Sequence, residues 1–230
     1  MALEERRGSR RSLLPPRRFR LAPAAASAHL ALMTFLPDHP LPKGPFRFIA
    51  LDVETANCNR GSISQIGLAC VGLDGGMQTF ATYIDPAEDF APFNTDLTGI
   101  DAETVRGAPV FAQAWVRLLP FLRGQLIIQH SGFDEKAINA ASEQAGLPVP
   151  RLIWADSVKI ARKAWPEFRG NGGHGLAHLK EALGLSFHHH DAGEDARAAA
   201  EVVLLAEERL QQSVEQITGR SAHLQMSLDL

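Results

Sequence analysis

The clearest period-two pattern in the chain runs through Phe48-Ile49-Ala50-Leu51-Asp52-Val53-Glu54-Thr55. Side chains alternate faces along a strand, so Ile49, Leu51 and Val53 share one face and Phe48, Ala50, Asp52 and Glu54 the other. Both faces are apolar until the end, as in a central strand covered on each side. Ile63 to Leu73 alternates again, Asp74-Gly75-Gly76 is a hairpin signal, and Met77 to Ile84 returns. These three runs predict an antiparallel meander. Beyond Asp85-Pro86 the period becomes helical. Thr98 to Glu103 reads as a turn into a short helix, and Val110 to Leu119 as a helix stopped by Pro120. Leu126-Ile127-Ile128 is a short buried strand leading into a helix through Ala145, closed by Gly146. Leu152 to Ala155 is a fifth strand, followed by a helix to Trp165, a flexible loop at Gly170–Gly175, and a helix from Leu176 to Leu183 closed by Gly184. Glu194 to about Gln212 is a long Ala-rich helix. Three antiparallel strands, then strands alternating with helices, predict an α/β fold: a mixed five-stranded sheet flanked by helices.

Composition adjusts this picture at the ends. The 230 residues, 45% hydrophobic and 21% charged, suffice for one substantial core. Residues 1–45 are rich in Arg, Pro and Ala with no sustained apolar period, so they are expected to be disordered. The folded domain is expected over 46–212, with 213–230 as a flexible polar tail. Ser9-Arg10-Arg11-Ser12-Leu13-Leu14 resembles a twin-arginine export signal, but Pro15, Pro16, Arg17, Arg18 and Arg20 interrupt the apolar segment that should follow. A transit peptide, a basic tail touching nucleic acid, or a native start at Met33 remain as readings. The first 45 residues carry eight bases against three acids, the remainder 15 against 23. An acidic body does not grip phosphates by charge alone, yet it suits acids that hold divalent cations. No apolar run approaches the ~18 residues of a membrane span. Two cysteines, Cys58 and Cys70, give no disulfide framework and suit a reducing, cytoplasmic compartment.

The chemistry begins where β-alternation turns acidic. Asp52 and Glu54 stand one pleat apart on one face, and burying like charges that close is costly unless a cation lies between them. Taken alone, they read equally well as solvated residues at a strand end. Asp134 and Asp195 each fall in the first turn of a helix, where a carboxylate complements the dipole. His190 precedes Asp195 by five residues and, alone, reads as a surface loop residue; His188 and His189 beside it suggest an adventitious metal-binding tract.

Taken together, Asp52-x-Glu54, Phe133-Asp134 and His190-x-Ala192-x-x-Asp195 closely resemble the three motifs of the DEDDh exonucleases. That superfamily includes the proofreading subunit of bacterial DNA polymerase III, ribonuclease T and oligoribonuclease. The resemblance covers about residues 46–212 in the right order and implies a ribonuclease H-like fold. It also implies two Mg²⁺ (or Mn²⁺) ions about 4 Å apart. Asp52 would bridge both, Glu54 and Asp195 would complete the first, and Asp134 would hold the second. His190 would be the general base, since a near-neutral imidazole suits proton abstraction. His190 is preferred to His189 because only it fits the His-x-Ala-x-x-Asp spacing; Asp191 and Glu194 are left out. Val53, Thr55 and Thr98 are carried over as substrate contacts, Thr98 standing where the polymerase subunit has the His of His-Gly-Ile. The second motif departs from the common His-Asn-x-x-Phe-Asp: His130-Ser131-Gly132-Phe133-Asp134 is one residue shorter and has Ser for Asn. Phe133 itself is read as a core residue.

Lys159, Arg162, Lys163 and Arg169 form one basic cluster, read first as a solvated helix face and second as a phosphate track. The last six residues, Gln225-Met226-Ser227-Leu228-Asp229-Leu230, resemble the hexapeptide that docks bacterial polymerases on the sliding clamp. Gln225 would bond at the pocket rim, with Leu228 and Leu230 in apolar pockets. The resemblance thus implies a metal-dependent 3′→5′ exonuclease acting on DNA 3′ ends and releasing 5′-mononucleotides. The alternatives are an exoribonuclease of the same superfamily and a non-catalytic nuclease-fold subunit that binds nucleic acid or a polymerase.

Overall fold

The computed structural model describes residues 40–187 and 189–222. Its first strand, β1 (Phe46–Thr55), lies at the centre of a five-stranded sheet. β2 (Ile63–Gly72) pairs antiparallel with β1, and β3 (Met77–Tyr83) antiparallel with β2. On its other side β1 pairs parallel with β4 (Leu126–Gln129), which pairs parallel with β5 (Ile153–Asp156). The order is β3-β2-β1-β4-β5, the mixed sheet expected from the sequence. Chain connections depart in opposite directions on the two sides of β1. In open α/β sheets the crevice at the strands' carboxyl ends, beside such a switch, is where ligands collect.

The alternation along β1 sorts its side chains into two cores. Ile49, Leu51 and Val53 join Ile66, Leu68 and Cys70 against α2 (Phe111–Leu122) and α3 (Phe133–Gln144), where Trp115, Leu118 and Ile138 are buried. Phe48 and Ala50 join Ala69 and Val71 on the opposite face. That face is covered by α4 (Ser157–Ala164), α5 (Leu176–Leu183) and the long α6 (Ala192–Leu210). Each fully buried large apolar side chain stabilises the fold by about 1.5–3 kcal/mol. α6 turns Ala196, Ala199, Ala200 and Val203 inward, and small side chains let it lie close on the sheet. Gly67 of β2 marks that closeness, since a Cβ there would sit 2.0 Å from the Ala192 carbonyl oxygen.

Four local expectations need correction. The short helix near Thr98 precedes it: α1 spans Pro92–Thr98 and ends on Gly99 at φ 72°, while 101–107 is a series of turns. Pro120 does not stop α2 but sits inside its last turn. There it removes only a bond to the carbonyl of Val116, a residue on the exposed side of the helix. The Gly170–Gly175 loop is pinned by buried His174, whose Nε2 lies 2.8 Å from the Trp165 carbonyl oxygen. Finally, the polar segment from Ser213 opens with a helix, α7 (Val214–Thr218), that buries Val214 and Ile217. Lys163 fastens it by donating to the Ile217 carbonyl. His188 and the hexapeptide of Gln225, Leu228 and Leu230 lie outside the described residues. Among the described residues, no helix is long and apolar enough to cross a membrane.

Candidate active site

At the carboxyl end of β1 the sheet stops being apolar and a cleft of about 320 Å³ opens. Asp52 and Glu54 reach it from β1, on the face covered by α6, as their alternation requires. Asp134 arrives from the first turn of α3, and Asp195 from the first turn of α6. Carboxylate oxygens of Asp52, Glu54 and Asp195 lie within 4.8 Å of one another. Asp134 is fixed to the strand between them, its Oδ1 accepting from the Val53 N–H at 3.1 Å. His190 lines the same cleft. The four acids and the histidine drawn from distant parts of the sequence therefore share one opening.

What holds α6 in register explains why Asp195 arrives there. Asp191 caps the helix, its Oδ1 accepting from the Glu194 N–H at 3.0 Å. Gln65 of β2 grips the same turn, accepting from the Ala192 N–H at 3.0 Å and donating to Asp191 Oδ2 at 3.2 Å. Glu194 pairs outward with Arg197 at 2.8 Å. Asp191 and Glu194 thus have structural roles beside the ligand cluster.

Burial and close approach disfavour the charged forms of these acids. Burial, then repulsion from Asp134, Glu54 and Asp195, holds the Asp52 carboxyl well above the usual carboxylate range. Burial and the neighbouring Asp195 and Asp134 push Glu54 up to about 8. Burial raises Asp134 to about 7, although the Val53 N–H favours its ionised form. Asp195 is raised by burial, opposed by the His190 N–H and the His189 ring. Burial and mutual repulsion of clustered carboxylates disfavour their ionised forms in this way. An all-oxygen donor set fits a hard divalent cation such as Mg²⁺ or Mn²⁺, so these acids form a candidate metal site. His190 is shifted the other way, lowered by burial and by the adjacent His189, which leaves its imidazole neutral at pH 7.

The remaining expected contacts fall out unevenly. The Val53 side chain is buried in the core, and its contribution at the cleft is the backbone N–H that holds Asp134. Thr55 lines the cleft with its carbonyl accepting from Asn94 Nδ2 at 2.9 Å. Thr98 also lines it, its hydroxyl donating to the Asn94 carbonyl at 2.9 Å. Phe133, read as core, is 40% exposed at the rim. In the basic cluster, Lys159 lies 3.9 Å from Asp156 and Lys163 is committed to α7.

Three residues were not singled out. Gln65 and Asn94 act through long-range contacts, to the Ala192 N–H and the Asp191 carboxylate and to the Thr55 carbonyl, for which the sequence carries no signal. His130 stands 2.8 Å from the hydroxyl of Ser157, which itself donates to the Gln129 carbonyl at 3.1 Å. Burial pushes His130 down to about 4, so it stays neutral beside the acids. His189, set aside by motif spacing, also faces the cluster, with Nδ1 at 3.0 and 3.1 Å from the two Asp195 oxygens.

Comparison with known proteins agrees with this geometry. The RNase T family profile, described as Exonuclease, matches residues 49–203, a span that contains all four acids and His190. The chain belongs to this exonuclease family. It is 31% identical over 162 residues to the PolC-type DNA polymerase III of Streptococcus suis, and 30% over 168 residues to that of Caldanaerobacter subterraneus subsp. tengcongensis. Those matches take in 69% and 72% of this chain but only 11% and 12% of the relatives' own length. Among solved structures, the nuclease domain of 3′hExo, a DEDDh family member bound to rAMP, superposes with a TM-score of 0.59 at 19% identity, covering 76% of this chain and 98% of that one. Exonuclease X in complex with 5′ overhanging duplex DNA gives 0.56 at 20% identity, over 75% and 98%. Exonuclease I gives 0.62 at 17% identity, over 71% and 41%. The fold is that of the ribonuclease H-like exonucleases, and the resemblance to the DEDDh group carried by the three motifs holds.

Proposed function

We propose that this chain is a metal-dependent 3′→5′ exonuclease that removes 5′-mononucleotides from the 3′ ends of DNA. The observation that carries the reading is the convergence of Asp52, Glu54, Asp134 and Asp195 on one cleft beside His190, within a chain of the exonuclease family. Asp52, Glu54 and Asp195 would hold one Mg²⁺ or Mn²⁺, and Asp52 with Asp134 a second. When bound, such ions neutralise the acids, activate a water and stabilise the leaving 3′ oxygen. The chain's own part is positioning and proton transfer. His190, neutral at pH 7, takes the proton of the attacking water at a ring nitrogen. Val53 keeps Asp134 in place through its N–H, while Gln65 and Asp191 seat the helix that carries Asp195. Exposed Leu97 and Phe133 line the cleft beside the acids and offer an apolar wall to the terminal base.

DNA is placed first because the PolC-type relatives are DNA polymerases. RNA is the second reading, favoured by solved neighbours described with rAMP and with a histone mRNA stem-loop. The test uses 5′-labelled DNA and RNA oligomers of matched sequence, single- and double-stranded, with Mg²⁺ or with chelator. A ladder shortening from the 3′ end only with metal, faster on DNA, is expected. Shortening from the 5′ end, or cleavage that survives chelation, would end the proposal.

A further inference from the structure

Asp195 belongs to two clusters at once. Towards β1 it meets Asp52 and Glu54, an all-oxygen set; towards the preceding loop it meets His189 and His190. One ring nitrogen of each histidine and an Asp195 oxygen lie within 4.8 Å of one another. The two imidazoles are stacked, with centroids 4.1 Å apart and planes inclined by 13°. That arrangement follows from the backbone. His190 adopts φ 69°, a left-handed conformation uncommon for a side-chain-bearing residue, and its N–H donates to Asp195 Oδ2 at 2.9 Å. The loop is thereby folded back over the start of α6, with both rings beside one carboxylate.

We propose that His189, His190 and Asp195 form a second site, overlapping the oxygen cluster at Asp195, for a borderline divalent ion such as Zn²⁺, and that filling it switches the nuclease off. The switching rests on the exonuclease reading above; the metal site does not. Imidazole nitrogen suits Zn²⁺, whereas Mg²⁺ keeps oxygen ligands and water, so the two clusters differ in the ions they select. Zinc bonds of about 2.0–2.1 Å set tetrahedral ligand atoms roughly 3.3 Å apart. His189 Nδ1 already stands 3.0 Å from Asp195 Oδ1. The His189 side chain is 34% exposed, which gives the ion a route in. Two nitrogens and one oxygen leave the fourth position to water. An ion held there withdraws Asp195 from the oxygen cluster and occupies the lone pair with which His190 would accept a proton. Zinc is thus an inhibitor at a site overlapping the catalytic one, not a substitute for the catalytic cation.

The full chain, stripped of metal, is titrated with ZnCl₂ by calorimetry in excess Mg²⁺, alongside His189→Ala, His189→Gln and the Asp52→Asn/Glu54→Gln double variant, each checked for folding by circular dichroism. One zinc equivalent is expected in the parent and in the double variant, with affinity weaker by at least about tenfold in both His189 variants. The zinc concentration giving half-inhibition of Mg²⁺-supported cleavage should rise by the same factor. Zinc affinity unchanged by either His189 substitution, or lost with Asp52 and Glu54, would overturn the site. A chain that cleaves nothing yet loses zinc on replacement of His189 would refute the nuclease reading and leave the metal site standing.

Discussion

The backbone N–H of Val53 donates to Asp134 Oδ1 at 3.1 Å, tying the first turn of α3 to the strand that carries Asp52 and Glu54. Val53 lies between those two acids in sequence, so one hydrogen bond sets the position of the Asp134 carboxylate relative to both. The bond is buried, and an unsatisfied N–H there would cost about 1–3 kcal/mol. Asp134 is consequently both a prop and a candidate ligand.

These two roles separate by substitution. Asp134→Asn keeps an oxygen for the Val53 N–H and removes the buried charge, so thermal unfolding without metal should occur at or above the parent temperature. Metal-dependent cleavage should fall by at least about a hundredfold. Asp134→Ala should lose cleavage equally and also lose stability. Full cleavage by Asp134→Asn would remove Asp134 from the site.

Stability of the metal-free protein should fall as pH rises. Glu54 and Asp134 bind protons more tightly when folded, at about 8 and about 7, than their ordinary values of 4.5 and 3.8. Their contribution is fully present below the unfolded values and is lost as pH climbs through the folded ones. Melting temperature measured in chelator should therefore drop between about pH 5 and pH 8, and excess Mg²⁺ should reverse the drop at the alkaline end. A metal-free melting temperature that rises across this range would contradict the mutual elevation of the acids.

Gly67→Ala tests how the long helix is seated. The added Cβ would meet the Ala192 carbonyl at 2.0 Å and the Gly193 nitrogen at 2.3 Å, both backbone atoms that cannot swing aside. Overpacking of this kind costs about 1–3 kcal/mol, and here it displaces the turn bearing Asp195. Loss of both stability and cleavage is expected from unfolding and rate measurements on one preparation. Native cleavage in Gly67→Ala would show that the start of α6 need not be so close to β2.

The sheet and the acid pair were legible because alternation along Phe48–Glu54 assigns each side chain a face without knowledge of the rest of the chain. Asp134 and Asp195 were legible only as members of an ordered motif set, since a carboxylate in a helix's first turn is otherwise ordinary. Two missed helices did carry signals. Pro92 opens α1 and Gly99 closes it, and Ser213 with Gln216 forms a capping box for α7. In the segment from Ser213 the polar composition masks that signal. The grip of Gln65 on Ala192, the contact between Gly67 and the α6 backbone and the stacking of His189 on His190 were not legible. Each depends on how far a helix settles onto a sheet or on one left-handed residue, which local pattern does not encode.

The C-terminal hexapeptide gives an independent prediction from sequence. Deleting Gln225–Leu230 should abolish co-precipitation with a bacterial sliding clamp and leave cleavage of short oligomers unchanged. Undiminished co-precipitation would discard the clamp reading of Gln225, Leu228 and Leu230 and leave the cleft untouched.

The central claim is that four acids from separate parts of the sequence converge because paired divalent cations neutralise them. The most direct measurement is anomalous diffraction from crystals soaked in Mn²⁺. Two peaks about 4 Å apart are expected in the cleft, both within bonding distance of Asp52, one beside Glu54 and Asp195 and the other beside Asp134. Peaks absent from the cleft, or bound there without contact to Asp52, would contradict the account.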